Sequence, residues 1–130
     1  MEKFRNILDI ARENIKKNPS LQDRPAGEVA LQYLDGLTDE LEEVRAEIKE
    51  NNRVYLEDEL SDIAWDYACL LARLEQAGHI ESAESVIEHG FNKYSQRAPA
   101  FLEATEEMWD TIKTKQKADL QHRHKEKYGN

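Results

Sequence analysis

Cysteine is almost absent from this chain. Cys69 is the only one in 130 residues, so no disulfide can form within it. It sits in the apolar run Ala68-Cys69-Leu70-Leu71 and reads as a buried, inert thiol, compatible with a reducing compartment. No apolar run approaches the roughly eighteen residues of a membrane span, and Met1-Glu-Lys-Phe-Arg-Asn6 lacks the apolar stretch of a signal peptide. A cytoplasmic protein with no membrane partner is expected. Positive charge is scarce: 18 Lys and Arg face 27 Asp and Glu, a net charge of -9 that repels nucleic-acid backbones and anionic surfaces. Apolar residues are scarce too, at 39%, for a chain that must bury a core by itself. A helical protein that completes its core by oligomerising, as a dimer or a dimer of dimers, answers that shortage. Missing as well are a glycine-rich phosphate loop, a zinc-type Cys/His cluster, a nucleophile elbow, the Glu-x-x-His pairs of a di-iron bundle and any repeat of fixed period.

What is present is helical periodicity. Phe4, Ile7, Leu8, Ala11 and Ile15 recur every three or four residues, predicting a helix from Glu2 to about Lys17, which Asn18-Pro19 ends. Ser20 to Gly27 reads as a loop, with Leu21 free to tuck inward. A second helix is predicted from Glu28 to about Glu50 on the seam Ala30, Leu34, Leu37, Leu41, Val44 and Ile48. After the short polar turn Asn51-Asn52-Arg53, a third spans about Val54 to Gln76, with Gly78 as its stop. A fourth, about Glu81 to Gln96, is expected to bury Ala83, Val86, Ile87, Gly90, Phe91 and Tyr94. Pro99 then permits a fifth helix from about Ala100, and the polar tail from Lys115 to Asn130 is expected to fray. The whole reads as one all-α domain, an antiparallel four-helix-type bundle with an additional C-terminal helix.

The acids are placed in a way that invites chemistry. Glu40 and Glu43 lie three apart on the second helix, and Glu59 and Asp62 three apart on the third, so each pair offers two carboxylates to one side. In a chain this acidic about five such pairs arise by chance, and most are solvated faces. These two flank apolar seams instead of opposing them, on helices that a short turn makes antiparallel neighbours. Four carboxylates could then surround one hard cation, which predicts a magnesium site serving phosphate chemistry, with manganese as a possible substitute. Gly36, one turn before Glu40, hints at close approach there. Lys93 and Arg97, one turn apart, are placed to bind phosphate oxygens. The histidines of the tail, His122 and His124, have no ligand company and read as solvated.

The segments Glu40-Leu-Glu-Glu43-Val-Arg-Ala-Glu-Ile48, Asp58-Glu59-Leu-Ser-Asp62-Ile63 and Asn92-Lys93-Tyr-Ser-Gln-Arg97 resemble those of the MazG nucleotide pyrophosphohydrolases, in the all-α NTP pyrophosphatase superfamily. Thr105-Glu-Glu-Met-Trp109-Asp-Thr-Ile-Lys113 is similar to the family's last-helix E-E-V-W-x-x-V-K segment. The likeness spans about Leu34 to Lys113. It implies an oligomeric bundle that cleaves nucleoside triphosphates to monophosphate and pyrophosphate with magnesium. It assigns Glu40, Glu43, Glu59 and Asp62 as metal ligands and Lys93 and Arg97 as triphosphate contacts. Trp109 and Lys113 would stand near the nucleotide, and Asp39 and Asp58 are the additional acids beside the ligands. The C-P-W-D segment that often precedes the first acidic helix is replaced here by Asn18-Pro-Ser-Leu-Gln-Asp-Arg-Pro25, which leaves the base open. Dimeric dUTPases and phosphoribosyl-ATP pyrophosphohydrolases share such acidic helices, so the substrate is open within the superfamily.

On this reading Glu43, or else Glu40, activates the attacking water and the basic pair takes charge on the leaving pyrophosphate. The competing reading is a non-catalytic helical module whose acidic face docks a basic protein.

Overall fold

In the computed structural model, residues 2–17, 25–103 and 106–129 are described, with side chains for all of these but 26, 98–103 and 106. They form five α-helices and, among the described residues, no strand: α1 (Glu2–Lys17), α2 (Ala26–Glu47), α3 (Arg53–Gln76), α4 (Ala83–Glu103) and α5 (Glu106–Tyr128). The expectation of an all-α fold is met. Most of the expected loop from Ser20, Leu21 included, lies outside the described residues, as do the side chains of Phe101 and Leu102. The chain divides into two compact units, Met1–Ala83 and Glu84–Asn130.

In the first unit, α3 is the central element, packed by both α1 and α2. Leu8, Ala11 and Ile15 recur at helical spacing on α1 and are buried, as are Val29, Ala30 and Val44 on α2. They meet a face of α3 in which Ala68 and Ala72 are small enough to let helices approach closely, with Cys69 and Leu71 beside them. Each large apolar side chain so buried contributes about 1.5–3 kcal/mol. The expected burial of Cys69 is borne out, and burial together with the negative charge of Asp66 pushes the thiol's pKa up to about 11.

Polar contacts lock this packing. Arg12 on α1 donates from Nε and Nη2 to the two carboxylate oxygens of Glu75 on α3, at 3.1 and 2.8 Å. Glu75 Oε1 also accepts the backbone N–H of Ala83 at 2.9 Å, so one carboxylate ties α1 to α3 and begins α4. That is why α4 starts at Ala83, two residues later than predicted. Gly78, at φ 78, ends α3: the N–H of Gly78 bonds to Glu75 O and that of His79 to Leu74 O. Arg73 is buried and donates from Nη1 to Gln76 Oε1, while its Nε and Nη2 find no hydrogen-bond partner among the described residues.

The α2–α3 connection sets the acids opposite each other. Asn52 Nδ2 captures Glu47 O at 2.7 Å and Glu47 Oε2 at 2.6 Å, and Asn51 adopts φ 56, which asparagine tolerates better than most residues. This ends α2 at Glu47, three residues before the predicted end. The turn is so short that α2 and α3 must run antiparallel. The apolar seam on α2 splits into two stripes. Ala30, Leu37 and Val44 turn inward, whereas Leu34, Leu41 and Ile48, each seven residues apart, are 46%, 52% and 67% exposed. On α3, Val54, Tyr55 and Leu60 are likewise exposed.

The second unit departs further from expectation. α4 continues as helix past Pro99 to Glu103, where Pro99 had been expected to follow its end. A proline's fixed φ is compatible with helix even though its missing N–H forfeits one bond. Phe91 and Tyr94 are exposed, not buried. The expected fraying of the tail is not found: α5 runs unbroken to Tyr128, because the segment is rich in good helix formers and carries the i,i+4 pairs Asp119–Arg123 and His122–Glu126.

Candidate metal centre

The helical hairpin places Glu40 and Glu43 of α2 across from Asp58, Glu59 and Asp62 of α3. Two groups of three result. One carboxylate oxygen from each of Glu40, Glu43 and Glu59 lies within 4.8 Å of the others, and the same holds for Asp58, Glu59 and Asp62. Glu59 belongs to both groups. All four acids expected to be metal ligands are therefore gathered in one place, with Asp58 added to them. Asp39 is exposed on α2 and belongs to neither group.

Crowded carboxylates oppose one another's ionisation. The Glu40 carboxyl is pushed up from 4.5 to about 7, first by its hydrogen-bonding contact with Glu43, then by burial, then by the negative charge of Glu43, Asp62 and Asp66. Glu59 is raised too, chiefly by burial, then by contact with Glu43 and by the charges of Glu43, Asp62 and Asp58. Glu43 is the common neighbour in both cases. Oε2 of Glu40 and Oε2 of Glu59 are shielded from water and have no hydrogen-bond partner among the described residues. Shielded, unpartnered carboxylate oxygens among further acids are what a hard divalent cation satisfies, and a donor set made of oxygen alone suits magnesium or manganese rather than a softer metal. The residues fit the ion.

Asp66, one turn beyond Asp62 on α3, is part of this field. Its carboxyl is raised by burial first, then by Asp62 and Glu43. The signal was available as a third acid one turn beyond Asp62. Gly36 lies near it: a Cβ built there would stand 3.9 Å from Asp66 Oδ2, ordinary van der Waals contact. Close approach by the protein therefore does not require the glycine.

The basic and aromatic candidates lie in the second unit. Arg97 stacks over the rings of Trp109 and Tyr94, at 5.6 and 5.7 Å, and its Nε donates to Gln116 Oε1 at 2.5 Å. Lys93 stands over Tyr94, at 5.5 Å. Lys93, Arg97 and Trp109 thus form one neighbourhood, while Lys113 is exposed on α5. No helix among the described residues is long and apolar enough to cross a membrane.

Fold and centre together define a class: an all-helical protein presenting facing carboxylates, from two neighbouring antiparallel helices, that suit a divalent ion. Residues 29–102 match the MazG nucleotide pyrophosphohydrolase domain; this is more than half of the chain, which belongs to that family. Every acid of the two groups falls inside the matched segment, as do Lys93 and Arg97, whereas Trp109 and Lys113 lie beyond it. No curated protein and no solved structure matches the chain. Membership supports nucleotide pyrophosphohydrolysis as the general activity and agrees with the metal-binding character of the acids.

Proposed function

We propose that this protein is a magnesium-dependent nucleoside triphosphate pyrophosphohydrolase, releasing pyrophosphate and a nucleoside monophosphate, with a place in housecleaning of the nucleotide pool. The observation that carries the reading is the sharing of Glu59 between two carboxylate groups drawn from adjacent helices. Glu40, Glu43, Glu59 and Asp62 would hold the ion, which when bound neutralises phosphate charge and polarises the phosphoryl group. Glu43, in contact with both Glu40 and Glu59, is the best-placed base to orient and deprotonate the attacking water, with Glu40 next. Lys93 and Arg97 take charge on the phosphates, and Trp109 and Lys113 lie near the nucleotide. Asp58 supports the ligands from within the second carboxylate group, and Asp39 stands beside them on α2 toward the substrate.

The active species is a homo-oligomer, a dimer or a dimer of dimers. Leu34 and Leu41 of α2, with Ile48 just past its end, form an exposed apolar stripe of the kind that a second copy buries. The test of function is a panel of ribo- and deoxyribonucleoside triphosphates, with dUTP and phosphoribosyl-ATP included, assayed for pyrophosphate with and without magnesium. Magnesium-dependent pyrophosphate from at least one member is expected. Absence of pyrophosphate across the panel overturns the reading.

A further inference from the structure

The second unit holds a cleft of about 450 Å³ between α4 and α5 whose cations come from both helices. Lys93 and Arg97 line it from α4, and Lys115 and Arg123 from α5; Asp119 is the only acid among its lining residues. In a chain of net charge -9, four cations around one acid concentrate charge of the opposite sign. The spacing explains the placement. Positions 93 and 97 are one turn apart on α4, and 115, 119 and 123 are one turn apart on α5, so each set forms a single stripe.

The cleft is also organised by a hydrogen-bond network. Gln116 Nε2 donates to Lys93 O at 3.1 Å and to Gln96 Oε1 at 2.9 Å, while Gln116 Oε1 accepts from Arg97 Nε. With Nε held by Gln116 and the guanidinium stacked on Trp109 and Tyr94, the terminal nitrogens of Arg97 are oriented and carry no hydrogen bond among the described residues. That is the fork geometry suited to phosphate. Arg123 is held more loosely, 3.7 Å from Asp119.

We infer that the α4–α5 cleft is a binding site for a linear phosphate chain, in which Lys115 and Arg123 of α5 act together with Lys93 and Arg97. The inference extends the reading of Lys93 and Arg97 above and rests on it. Lys115 and Arg123 lie outside the segment that matches the family and beyond Lys113, where the likeness to the family's last helix ends. Gln116 is a positioning residue for Arg97.

The test is calorimetric titration of the full-length protein with sodium tripolyphosphate, in EDTA so that no divalent ion contributes. The double variant Lys115→Met/Arg123→Met is expected to bind about a hundredfold more weakly, about tenfold for each phosphate contact removed. Lys117→Met/Lys125→Met, which removes the same charge from exposed positions of α5 outside this cleft, is expected to bind as the parent does. Gln116→Leu leaves every charge in place; it is expected to weaken binding without altering its dependence on ionic strength, a result that general charge attraction would not produce. Equal weakening by the two double variants, or no tripolyphosphate binding by the parent, overturns the inference. Failure of the hydrolase reading is a separate result: nucleotides then yield no pyrophosphate while the parent still binds tripolyphosphate and Lys115→Met/Arg123→Met still loses it.

Discussion

Glu59 is the residue on which the metal centre can be tested most sharply, because it is the one carboxylate common to both groups. In the parent protein, magnesium at about a hundred times its Kd stabilises the native state by about 2.7 kcal/mol through mass action. Unfolding a chain of 130 residues releases about 0.27 kcal/mol/K near its midpoint, so Tm is expected to rise by about 10 °C. Replacing Glu59 with glutamine keeps the shape and removes the charge from both groups at once. If affinity falls by about a hundredfold, the same magnesium concentration only equals Kd, and the rise shrinks to about 1–2 °C. Glu40→Gln and Asp62→Asn each alter one group only and are expected to retain more of the shift. The metal-free protein should respond in the opposite direction. Since burial and neighbouring acids disfavour the Glu59 carboxylate, Glu59→Gln in EDTA at pH 8 is expected to melt above the parent. Differential scanning fluorimetry over a magnesium series reads both effects. An undiminished magnesium shift in Glu59→Gln would refute the shared-ligand geometry, as would a metal-free variant that melts below the parent.

Protonation should substitute in part for the missing cation. Glu40 and Glu59 have pKa values raised in the folded state, so the folded protein holds protons that the unfolded chain has already lost. Their stabilising contribution is complete below about pH 4.5 and is lost as pH rises through the raised folded-state values, about 7 for Glu40, so metal-free Tm is expected to climb between pH 8 and 5 and to climb less with saturating magnesium; a flat metal-free profile contradicts the carboxylate crowding. Glu75→Ala removes both the bidentate partner of Arg12 and the acceptor for Ala83 N–H, and is expected to cost about 2 kcal/mol in urea denaturation; a loss below about 0.5 kcal/mol would dispute the role given to it. Gly36→Ala meets only ordinary contact at Asp66 and should gain up to about 1 kcal/mol from helix propensity, so a destabilised variant would count against the packing described there. Leu34→Asp/Leu41→Asp is expected to reduce the particle to one chain in light scattering; a parent that is already monomeric removes the basis for assembly through α2.

Much of the site was legible from one dimension because helices have a fixed period. Spacing three apart put Glu40 with Glu43 and Glu59 with Asp62, and a turn as short as Asn51-Asn52 left the two helices no course but antiparallel. The limits of α1, the stop at Gly78 and the buried thiol followed from equally local rules. Local rules failed where a distant group intervened or where coverage mattered. Glu75 sets the beginning of α4 from eight residues away, and the two stripes of the α2 seam are both apolar, yet only one is covered within the chain. Nothing in the periodicity could tell Phe91 and Tyr94, expected inside, from Val86 and Ile87, which are partly covered. Residue type and spacing settled which side chains share a helix face. Packing alone decided that Glu59 stands between two carboxylate groups, that Asp66 joins their field, and that Gln116 holds Arg97, because distance between helices is set by the side chains that meet there and not by their order in the chain.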